Sequence, residues 1–395
     1  MHETCDQKFI AGAPTAHVPV RLGIIGGGQL ARMTAIAALT LGVEVVVLES
    51  NPHSPAARLS PGCVVGDWAD PATLMNFAGQ CDVITLENEF VDAAALEALE
   101  RAGHAVFPGS SCVAVVQDKL TQKSMLQSAG LGVVEHRPAG SPEEIAAAGA
   151  ELGWPMVLKT RRNGYDGKGN VTLRSGADVA DGWRRLGGGA NPLMVEAWFP
   201  FVKELAVIVT RGRDGGAAVY PVVETIQREH VCRVVKAPAA ICSDLAKRAA
   251  ALARRAVEVV GGVGSFGVEL FLSAGGELVI NELAPRVHNS GHYTIEACHC
   301  SQFENHVRAV LGWPLGDPRM VAPAAVMVNL LGAKKGAGTP NGLETALRLS
   351  GARLHLYAKV MSGPGRKMGH VTALRESVEE ALAVAERAAR EIYFG

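Results

Sequence analysis

Strand-like and helix-like patterns alternate along the first part of the chain. The stretch RLGIIGGGQLARMTAIAALTLGVEVVVLE, which begins at Arg21, indicates a strand, a glycine turn, a helix with one apolar face and a second strand. CDVITLENEF, a helix over 92–102 and HAVFPG continue the alternation. Because buried parallel strands are continuous apolar runs, the pattern predicts an open, Rossmann-like α/β domain over residues 21–117.

The rest of the chain predicts a mixed α+β region over 118–322 and a small β-rich region over 323–395. A helix over 118–129 and a second helix, whose SPEE start has the serine, proline and glutamate of a capping box, lead into a series of strands. The runs SFGVELFL and ELVINEL form a hairpin around SAGG. The final region has the strands AAVMVNLL and RLHLYAKV and a closing helix.

Composition excludes several classes of protein. The 395 residues hold 38 Lys and Arg against 39 Asp and Glu, and aromatic residues make up 5%. This balance gives no overall field for nucleic acid or an anionic membrane. The start lacks a signal sequence, apolar stretches are too short to span a bilayer, and the eight cysteines show no CxxC spacing. We expect a cytoplasmic protein with no nucleic-acid or membrane partner, preceded by a disordered leader at residues 1–20.

The first glycine turn lies between a strand and a helix. Gly26 to Ala31 fits the GxGxxA form of a dinucleotide turn, and Glu49 lies 23 residues beyond Gly26, where a ribose-binding acid is expected. The same turn binds other phosphates or small polar ligands at a helix N-terminus, and it also occurs as a purely structural turn. All three interpretations remain open.

A second glycine-rich loop follows Lys159, which ends an apolar strand. Glycines let backbone amides close over phosphates, and cations neutralise their charge. A flexible surface turn is the alternative, but it leaves a lysine at the end of a buried strand unexplained. The loop interleaves the following cations and glycines: Arg161, Arg162, Gly164, Gly167, Lys168 and Gly169.

Two carboxylates fall on neighbouring strands of the predicted hairpin. Glu269 and Glu282 would face each other and repel unless a cation lies between them. Mg²⁺ suits such oxygen ligands, and Asn281 adds a neutral oxygen. Two unrelated surface glutamates are the alternative.

A zinc site is a rival metal interpretation further along the chain. His288 and His292 have the i, i+4 spacing of half a zinc site, and Glu296, Cys298, His299 and Cys300 follow. However, Asn289, Ser290 and Gly291 are typical of a loop, and no HExxH pattern is present. Polar substrate-binding histidines are the favoured interpretation.

The segment GPGRKMGH, residues 363–370, predicts a rigid turn with two adjacent cations. Arg366 and Lys367 lie in the turn, and Lys359 lies one strand-length upstream. Arginine matches phosphate oxygens with two hydrogen bonds, so a phosphate monoester pocket is one interpretation. A solvated basic turn is the other.

Taken together, the second glycine loop, the EAWF segment at 196–199 and the paired carboxylates resemble an ATP-grasp ligase. Within that superfamily, the strings QDKLTQK, RRNGYDGKG, INELAPRVHNSGHYT and GPGRKMGH, with the leading GGGQLARM, are similar to the 5-(carboxyamino)imidazole ribonucleotide synthases of purine biosynthesis. The resemblance runs from about Arg21 to the C-terminus. It implies a pre-ATP-grasp domain, a two-lobed ATP-grasp core, a small C-terminal domain and a homodimer.

The resemblance also implies an activity and its ligands. These enzymes use ATP and bicarbonate to carboxylate the exocyclic amine of 5-aminoimidazole ribonucleotide, through carboxyphosphate, with release of ADP and phosphate. One or two Mg²⁺ ions on Glu269 and Glu282 accompany the nucleotide. We expect Arg286 to stabilise carboxyphosphate, with Lys159 and Glu282 as the other catalytic residues. The family pattern assigns the nucleotide to Lys119, Lys159, Gly164, Tyr165, Asp166, Gly167, Lys168, Gly169, Asn170, Glu196, Ala197, Trp198, Phe199, Glu204, Gln227, Asn281 and Glu282.

The acceptor ribonucleotide has its own implied set of residues. The resemblance assigns its 5′-phosphate to the cations of the GPGRKMGH region. The first glycine turn, with Glu87 and Glu89, would complete the pocket. The residues assigned to the acceptor are Gln29, Tyr165, Asp166, Lys168, Arg286, His288, Asn289, Ser290, Lys359, Arg366 and Lys367.

Two functions from other classes compete with the ligase. An NAD-dependent oxidoreductase would use the first glycine turn and Glu49, but it leaves the second loop and both carboxylates unexplained. A non-catalytic nucleotide-binding module would bind ATP without turnover. A missing metal carboxylate would favour the module. Because both Glu269 and Glu282 are present, the ligase is the favoured function.

Overall fold

A computed structural model of the chain describes residues 20–164 and 169–395. The first part is the open α/β domain that the sequence predicts. Its elements are β1 (Arg21–Ile25), α1 (Gln29–Thr40), β2 (Glu44–Glu49), β3 (Val64–Val65), α2 (Pro71–Ala78), β4 (Val83–Leu86), α3 (Ala93–Arg101) and α4 (Ser110–Gln117). The four strands are parallel, in the order β3-β2-β1-β4.

Helices cover both faces of this parallel sheet. Ile24 of β1 packs with the small residues of α1, such as Ala35. Ile25, the next residue, packs on the opposite face with Leu74 of α2 and Leu96 of α3. Because successive side chains of a strand alternate between faces, a strand covered on both sides is apolar throughout, which explains the RLGII run.

The second part begins with a small antiparallel sheet. Its elements are α5 (Lys119–Ser128), β5 (His136–Ala139), α6 (Pro142–Leu152), β6 (Met156–Thr160), β7 (Asn170–Leu173), α7 (Val179–Arg185) and β8 (Leu193–Ala197). The strand order is β5-β8-β6-β7. Ser141 caps α6 as predicted, but the Glu144 carboxylate accepts from the amide of Gly140 instead of completing the capping box at Ser141.

A long antiparallel sheet forms the centre of the molecule. Its first elements are β9 (Phe201–Arg211), β10 (Ala217–Val219), β11 (Val223–Arg228), β12 (Val231–Ala237), α8 (Ser243–Val260), β13 (Gly264–Ser273), β14 (Leu278–Ala284), α9 (Thr294–Ala297) and α10 (Gln302–Leu311). Val307 and Val310 of α10 share an apolar cluster with Leu22 and Ala35. Helix α10 therefore joins the first domain to the central sheet.

The C-terminal strands extend the same sheet. The remaining elements are β15 (Ala324–Leu331), β16 (Gly336–Ala337), β17 (Pro340–Asn341), α11 (Leu343–Leu347), β18 (Ala352–Leu356), β19 (Met361–Ser362), β20 (Lys367–Arg375), α12 (Val378–Glu391) and β21 (Tyr393–Phe394). The sheet order is β14-β13-β9-β11-β12-β15-β20-β18, with β10 beside β9. The C-terminal region and the core are thus continuous through the β12–β15 pair.

Two local predictions need correction, and one helix was not predicted. The AAVYPVVE run is two strands, because Pro221 has no amide for the ladder and separates β10 from β11. The apolar SSCVAVVQ stretch, for which the sequence predicts nothing, is the helix α4. The predicted turn at 363–370 ends at Arg366, since Lys367 begins β20 and pairs with Leu331. In the described ranges, none of the helices combines the length and hydropathy that a bilayer span requires.

Candidate functional site

Two of the predicted phosphate lysines already bind carboxylates of the protein. Lys159 Nζ on β6 is 2.7 Å from Glu196 Oε2, and Lys119 Nζ, at the start of α5, pairs with Glu282 Oε2. Burial alone would lower the pKa of Lys119, but the negative charge of Glu282 raises it above its ordinary value. The Lys119 ammonium group is therefore charged, and both lysines are held by carboxylates of the protein.

A third lysine joins this network, and sequence reasoning missed it. The Lys123 side chain is 2% exposed, and its Nζ lies 3.2 Å from Glu196 Oε1. Burial would raise the pKa of Glu196, but Lys123 and Lys159 together hold it at about 2. The string QDKLTQK could have indicated this residue. Residues four apart on a helix lie on one face, so Lys123 lies on the same face of α5 as Lys119.

The predicted carboxylate hairpin is confirmed in its register. Glu269 of β13 and Glu282 of β14 are direct cross-strand partners. Burial in the cleft, followed by repulsion from Glu282, raises the pKa of Glu269 to about 7. Asn281 Nδ2 donates to Glu269 Oε2 at 3.3 Å. The donor set fits Mg²⁺, because a divalent cation between the two carboxylates would relieve their repulsion.

The predicted adenine edge lies at the end of β8. Ala197 donates its amide to the carbonyl of Glu135, Trp198 is 49% exposed, and the Phe199 ring packs on Phe271 at 6.2 Å. The edge is thus an apolar strand end that is open on one side, the kind of surface that accepts a purine ring.

The predicted ribose carboxylate, Glu204, lies on β9, the next strand along the chain, which belongs to the central sheet. Burial raises the pKa of Glu204, while a hydrogen bond from Gln227 on β11 opposes that increase. The strands β9 and β11 pair directly, which brings these two predicted nucleotide residues together. A carboxylate next to an amide group can accept hydrogen bonds from a ribose hydroxyl pair.

Only the two ends of the predicted phosphate lid are described. Asn170 pairs with Lys159 in the β6–β7 register, and the amide of Thr160 donates to the carbonyl of Gly169 at 2.8 Å. Gly169 has a φ of +85°, where a side chain is strained. Tyr165, Asp166, Gly167 and Lys168 lie outside the described residues.

A cavity of about 240 Å³ lies between the first domain, the start of the predicted lid and the carboxylate hairpin. The residues that line it include Glu89, Lys119, Gly164 and Glu282. Glu89 in turn binds Arg286, whose Nη2 donates to Glu89 Oε1 at 3.0 Å and whose Nε donates to Oε2. Burial would raise the pKa of Glu89, but Arg286 lowers it below its usual range, so this is an ion pair.

His288 lies beside the carboxylate hairpin as a neutral imidazole. Its Nε2 is 3.5 Å from Glu269 Oε1, and its Nδ1 is 2.8 Å from the Ser290 hydroxyl. Burial, with help from Arg286 and Lys367, lowers the pKa of His288 to about 3. The structure therefore brings a predicted acceptor residue into contact with a predicted metal ligand.

Two residues that sequence reasoning missed hold the His288 loop in place. Gln302, fully buried, accepts from the amide of His288 at 2.9 Å and donates to its carbonyl at 2.7 Å. Asn329 of β15 exchanges two amide hydrogen bonds with Asn289, at 2.7 and 3.0 Å. The Asn289 side chain is thus committed to Asn329. Only the long-range fold reveals these pairs, and no local sequence signal predicts them.

The predicted 5′-phosphate cations lie around the start of β20. Lys359 Nζ donates to the carbonyl of Lys367 at 2.7 Å, so these two residues are adjacent. The charge of Lys367 acts on His288, which brings this region close to the acceptor loop. Arg366 donates to the carbonyl of Met361 and is exposed. Lys359 and Lys367 are thus adjacent and half-buried, whereas the Arg366 side chain is exposed and bound to Met361.

The first glycine turn binds the carboxylates of the protein. The amides of Gly28 and Leu30 donate to Glu87, and the amide of Gly27 donates to Glu49 Oε2 at 2.9 Å. Gln29 is the first residue of α1. A dinucleotide pyrophosphate would need these same amides. The dinucleotide interpretation is therefore not supported, and Glu49 stabilises the turn itself.

The rival zinc site also finds no support. His292 is fully buried, packs against Phe303 and has its Nδ1 next to Gln302. Over residues 20–164 and 169–395, no group of three or more His, Cys, Asp or Glu side chains is arranged to hold a metal ion. The histidine is part of the packed core behind the acceptor loop.

Three domain families match the chain in the order that the fold displays. The ribonucleotide synthetase preATP-grasp domain matches residues 20–117, and the ATP-grasp domain matches residues 124–303. The phosphoribosylaminoimidazole carboxylase C-terminal domain matches residues 325–384. The fold and the site therefore define an ATP-grasp protein.

Relatives that match most of the chain show to which family of ATP-grasp proteins it belongs. The N5-carboxyaminoimidazole ribonucleotide synthase of Synechococcus elongatus is 44% identical over 92% of this chain and 90% of its own length. A solved N5-carboxyaminoimidazole ribonucleotide synthetase from Thermotoga maritima has a TM-score of 0.85 and 38% identity, covering 95% of this chain and 99% of its own. An Aspergillus clavatus synthase in complex with ADP and 5-aminoimidazole ribonucleotide has a TM-score of 0.86 and 36% identity, covering 94% and 98%. The chain belongs to the N5-carboxyaminoimidazole ribonucleotide synthase family.

Proposed function

We propose that the chain carboxylates the exocyclic amine of 5-aminoimidazole ribonucleotide, using ATP and bicarbonate, to give N5-carboxyaminoimidazole ribonucleotide, ADP and phosphate. The observation that carries the proposal is one cavity that is lined both by the Lys119–Glu282 pair and by Glu89, which holds Arg286. This arrangement suits a reaction in which a nucleotide phosphate meets a small anion. The relative complexed with ADP and 5-aminoimidazole ribonucleotide supports both ligands.

The first chemical step is phosphoryl transfer to bicarbonate. A bicarbonate oxygen attacks the γ-phosphorus, the bond to the bridging oxygen of ADP breaks, and carboxyphosphate forms. The protein does little covalent chemistry in such transfers. Its main contributions to catalysis are positioning and charge neutralisation. Lys119, Lys159 and the lid would bind the phosphates, and Arg286, held by Glu89, would stabilise the carboxyphosphate dianion.

The second step forms the carbon–nitrogen bond. The amine of the ribonucleotide takes the carboxyl group, either from carboxyphosphate directly or from CO₂ released in the closed site, and phosphate leaves as the amine loses a proton. Neutral His288 lies 3.5 Å from Glu269 of the carboxylate hairpin and experiences the charge of Arg286, so it can donate or accept one hydrogen bond to these small species. Exclusion of water by the lid would protect the labile intermediate.

We assign Mg²⁺ to Glu269 and Glu282, with Asn281 beside them. When bound, the ion supplies charge neutralisation at the transferring phosphate. Binding requires the ionised form of Glu269, whose pKa is raised to about 7 by burial and then by repulsion from Glu282. Lys119 pairs with Glu282 in the same place and would pass to the phosphates as the ion binds.

We assign the 5′-phosphate of the acceptor to Lys359, Lys367 and Arg366, and its base and ribose to the loop from His288 to Ser290. The lid residues Tyr165, Asp166 and Lys168 would complete both ligand sites, on the strength of the family resemblance. Gln29 and Glu87 belong to the acceptor side of the same proposal. A homodimer and a cytoplasmic location rest on the resemblance alone, and sedimentation of the purified protein would test the first.

The direct test is the dependence of ATP turnover on the acceptor. Purified protein with ATP, Mg²⁺ and bicarbonate should release ADP slowly until 5-aminoimidazole ribonucleotide is added, and then at least about ten times faster. Turnover that responds only to a different acceptor would reject the assignment. Binding of ATP with no turnover under any condition would favour a non-catalytic module.

A further inference from the structure

The buried carboxylate of Glu196 has two ammonium partners with very different access to a ligand. Lys159 reaches Glu196 Oε2 at 2.7 Å, and its side chain is 13% exposed. Lys123 lies 3.2 Å from the other oxygen, Glu196 Oε1, and its side chain is 2% exposed. The carboxylate side chain itself is 3% exposed. An ionised carboxylate at this depth needs a cation beside it in every state of the protein.

Lys123 is anchored away from the cleft by a second contact. Its Nζ donates to the carbonyl oxygen of Asn281 at 2.8 Å, on the strand that also carries Glu282. The ammonium group thus has one carboxylate and one carbonyl as partners, both inside the protein. Lys159, by contrast, has a side chain that is 13% exposed. Of the two lysines, Lys159 is therefore the one that can exchange partners with a ligand from solvent.

We propose that Lys123 is a positioning residue for Lys159: it is the permanent counter-ion of Glu196, and it allows Lys159 to leave that carboxylate and bind a nucleotide phosphate. This inference rests on the proposed binding of ATP phosphates by Lys159. Without Lys123, movement of Lys159 to the nucleotide would leave Glu196 as a buried charge with no partner, which is strongly unfavourable. Lys159 would then remain on Glu196, and ATP would bind more weakly.

The principal variant is Lys123→Met, which keeps the length of the side chain and removes its charge. The dissociation constant for ATP–Mg²⁺, measured by calorimetry, should rise at least about tenfold. The KM for 5-aminoimidazole ribonucleotide should stay within about threefold of wild type, because that ligand does not need Lys159. The control is Lys247→Met, whose side chain is 77% exposed on α8 and should change neither quantity.

A double-mutant cycle separates this exchange role from simple structural damage. In a Glu196→Gln background no buried carboxylate remains to need Lys123 when Lys159 leaves, so adding Lys123→Met should change ATP affinity by less than about threefold. Equal losses in both backgrounds would overturn the proposal. They would also identify a general electrostatic or packing effect of Lys123 as the cause.

A separate prediction covers the case in which Lys123→Met does not fold. The Glu196 side chain is 3% exposed and bound by two lysines, so only its backbone is available to the predicted adenine edge, and Glu196→Gln leaves that backbone unchanged. Because the variant releases Lys159 from its carboxylate, it should bind ATP at least as tightly as wild type. A loss of more than about tenfold in that variant, with the protein folded, would contradict the proposal. Failure of wild-type protein to bind ATP at all would instead reject the proposed function on which the inference rests.

Discussion

Glu89 holds Arg286 through two parallel hydrogen bonds, and the pair joins the first domain to the end of the central β-hairpin. The partners lie 197 positions apart in the chain. A guanidinium fixed by one carboxylate keeps other N–H groups directed elsewhere, and Arg286 also donates to the carbonyl of Val287. The orientation of Arg286 is therefore set by a residue from another domain.

Glu89→Gln should lower kcat/KM for bicarbonate by about 10- to 100-fold, or about 1.4 to 2.7 kcal/mol of barrier. The reason is that an amide cannot hold the guanidinium with two charge-assisted bonds. ATP affinity should change little, because Glu89 does not contact the phosphate lysines. Steady-state kinetics at varied bicarbonate measure this. The control is Glu97→Gln, which changes an exposed ion pair with Arg101. A wild-type rate in Glu89→Gln would contradict the proposed role of Arg286.

Glu282→Gln should abolish Mg²⁺-dependent turnover while the protein stays folded. The change removes half of the carboxylate pair and also the partner of Lys119. We expect a loss of at least about 100-fold in kcat. Glu277→Gln, at the exposed turn of the same hairpin, is the matched control. A rate within about threefold of wild type, under about 1 kcal/mol of barrier, would show that the metal assignment is wrong.

Asn329→Ala should weaken binding of the acceptor ribonucleotide selectively. The change removes both amide bonds to Asn289 and frees the acceptor loop. We expect the KM for 5-aminoimidazole ribonucleotide to rise about tenfold, or about 1.4 kcal/mol, with the KM for ATP unchanged. Asn341→Ala, at an exposed position, serves as the control. An equal rise in both KM values would indicate general loosening of the sheet instead.

The buried His306 should make the stability of the folded protein depend on pH. This buried imidazole bonds to Thr85 and to the amide of Ser265, and burial lowers its pKa to about 4. The unfolded chain, with a pKa near 6.5, binds the proton more readily, so the contribution of His306 to stability is full above about pH 6.5 and is lost as the pH falls towards 4. The lost contribution is on the order of 3 kcal/mol.

The melting temperatures of wild type and His306→Gln measure this contribution. Their difference should shrink as the pH is lowered from 7 to 4, because the variant cannot be protonated at this position. His53→Gln, at an exposed site, should show no such trend. A difference that stays constant across this range would refute the assignment of the shift to His306.

Local patterns predicted the parts of the site that lie on one hairpin or one strand. The alternation around SAGG was sufficient to place Glu269 opposite Glu282, and the apolar run before Lys159 placed that residue at the end of a strand. Patterns of this kind depend only on neighbours along the chain. The partners of Lys123 and Asn289 are, by contrast, 158 and 40 positions away. Only the tertiary fold brings such pairs together.

The limits of the fold prediction have the same cause. The stretch SSCVAVVQ has β-branched residues typical of a strand, yet it forms α4, and Val113 and Val116 pack into two different apolar clusters. Tertiary packing outweighs local propensity there. Likewise, the sequence predicts a small β-rich C-terminal region, but it does not reveal that the pairing of β12 with β15 joins the strands of that region to the central sheet.

The most direct test of the account is the fate of isotopically labelled bicarbonate. Purified protein incubated with ATP, Mg²⁺, 5-aminoimidazole ribonucleotide and ¹³C-bicarbonate should form a carboxylated ribonucleotide whose new carbon carries the label. One ADP and one phosphate should appear for each carbon fixed. Hydrolysis of ATP without labelled product, or labelled product formed without ATP, would contradict the account.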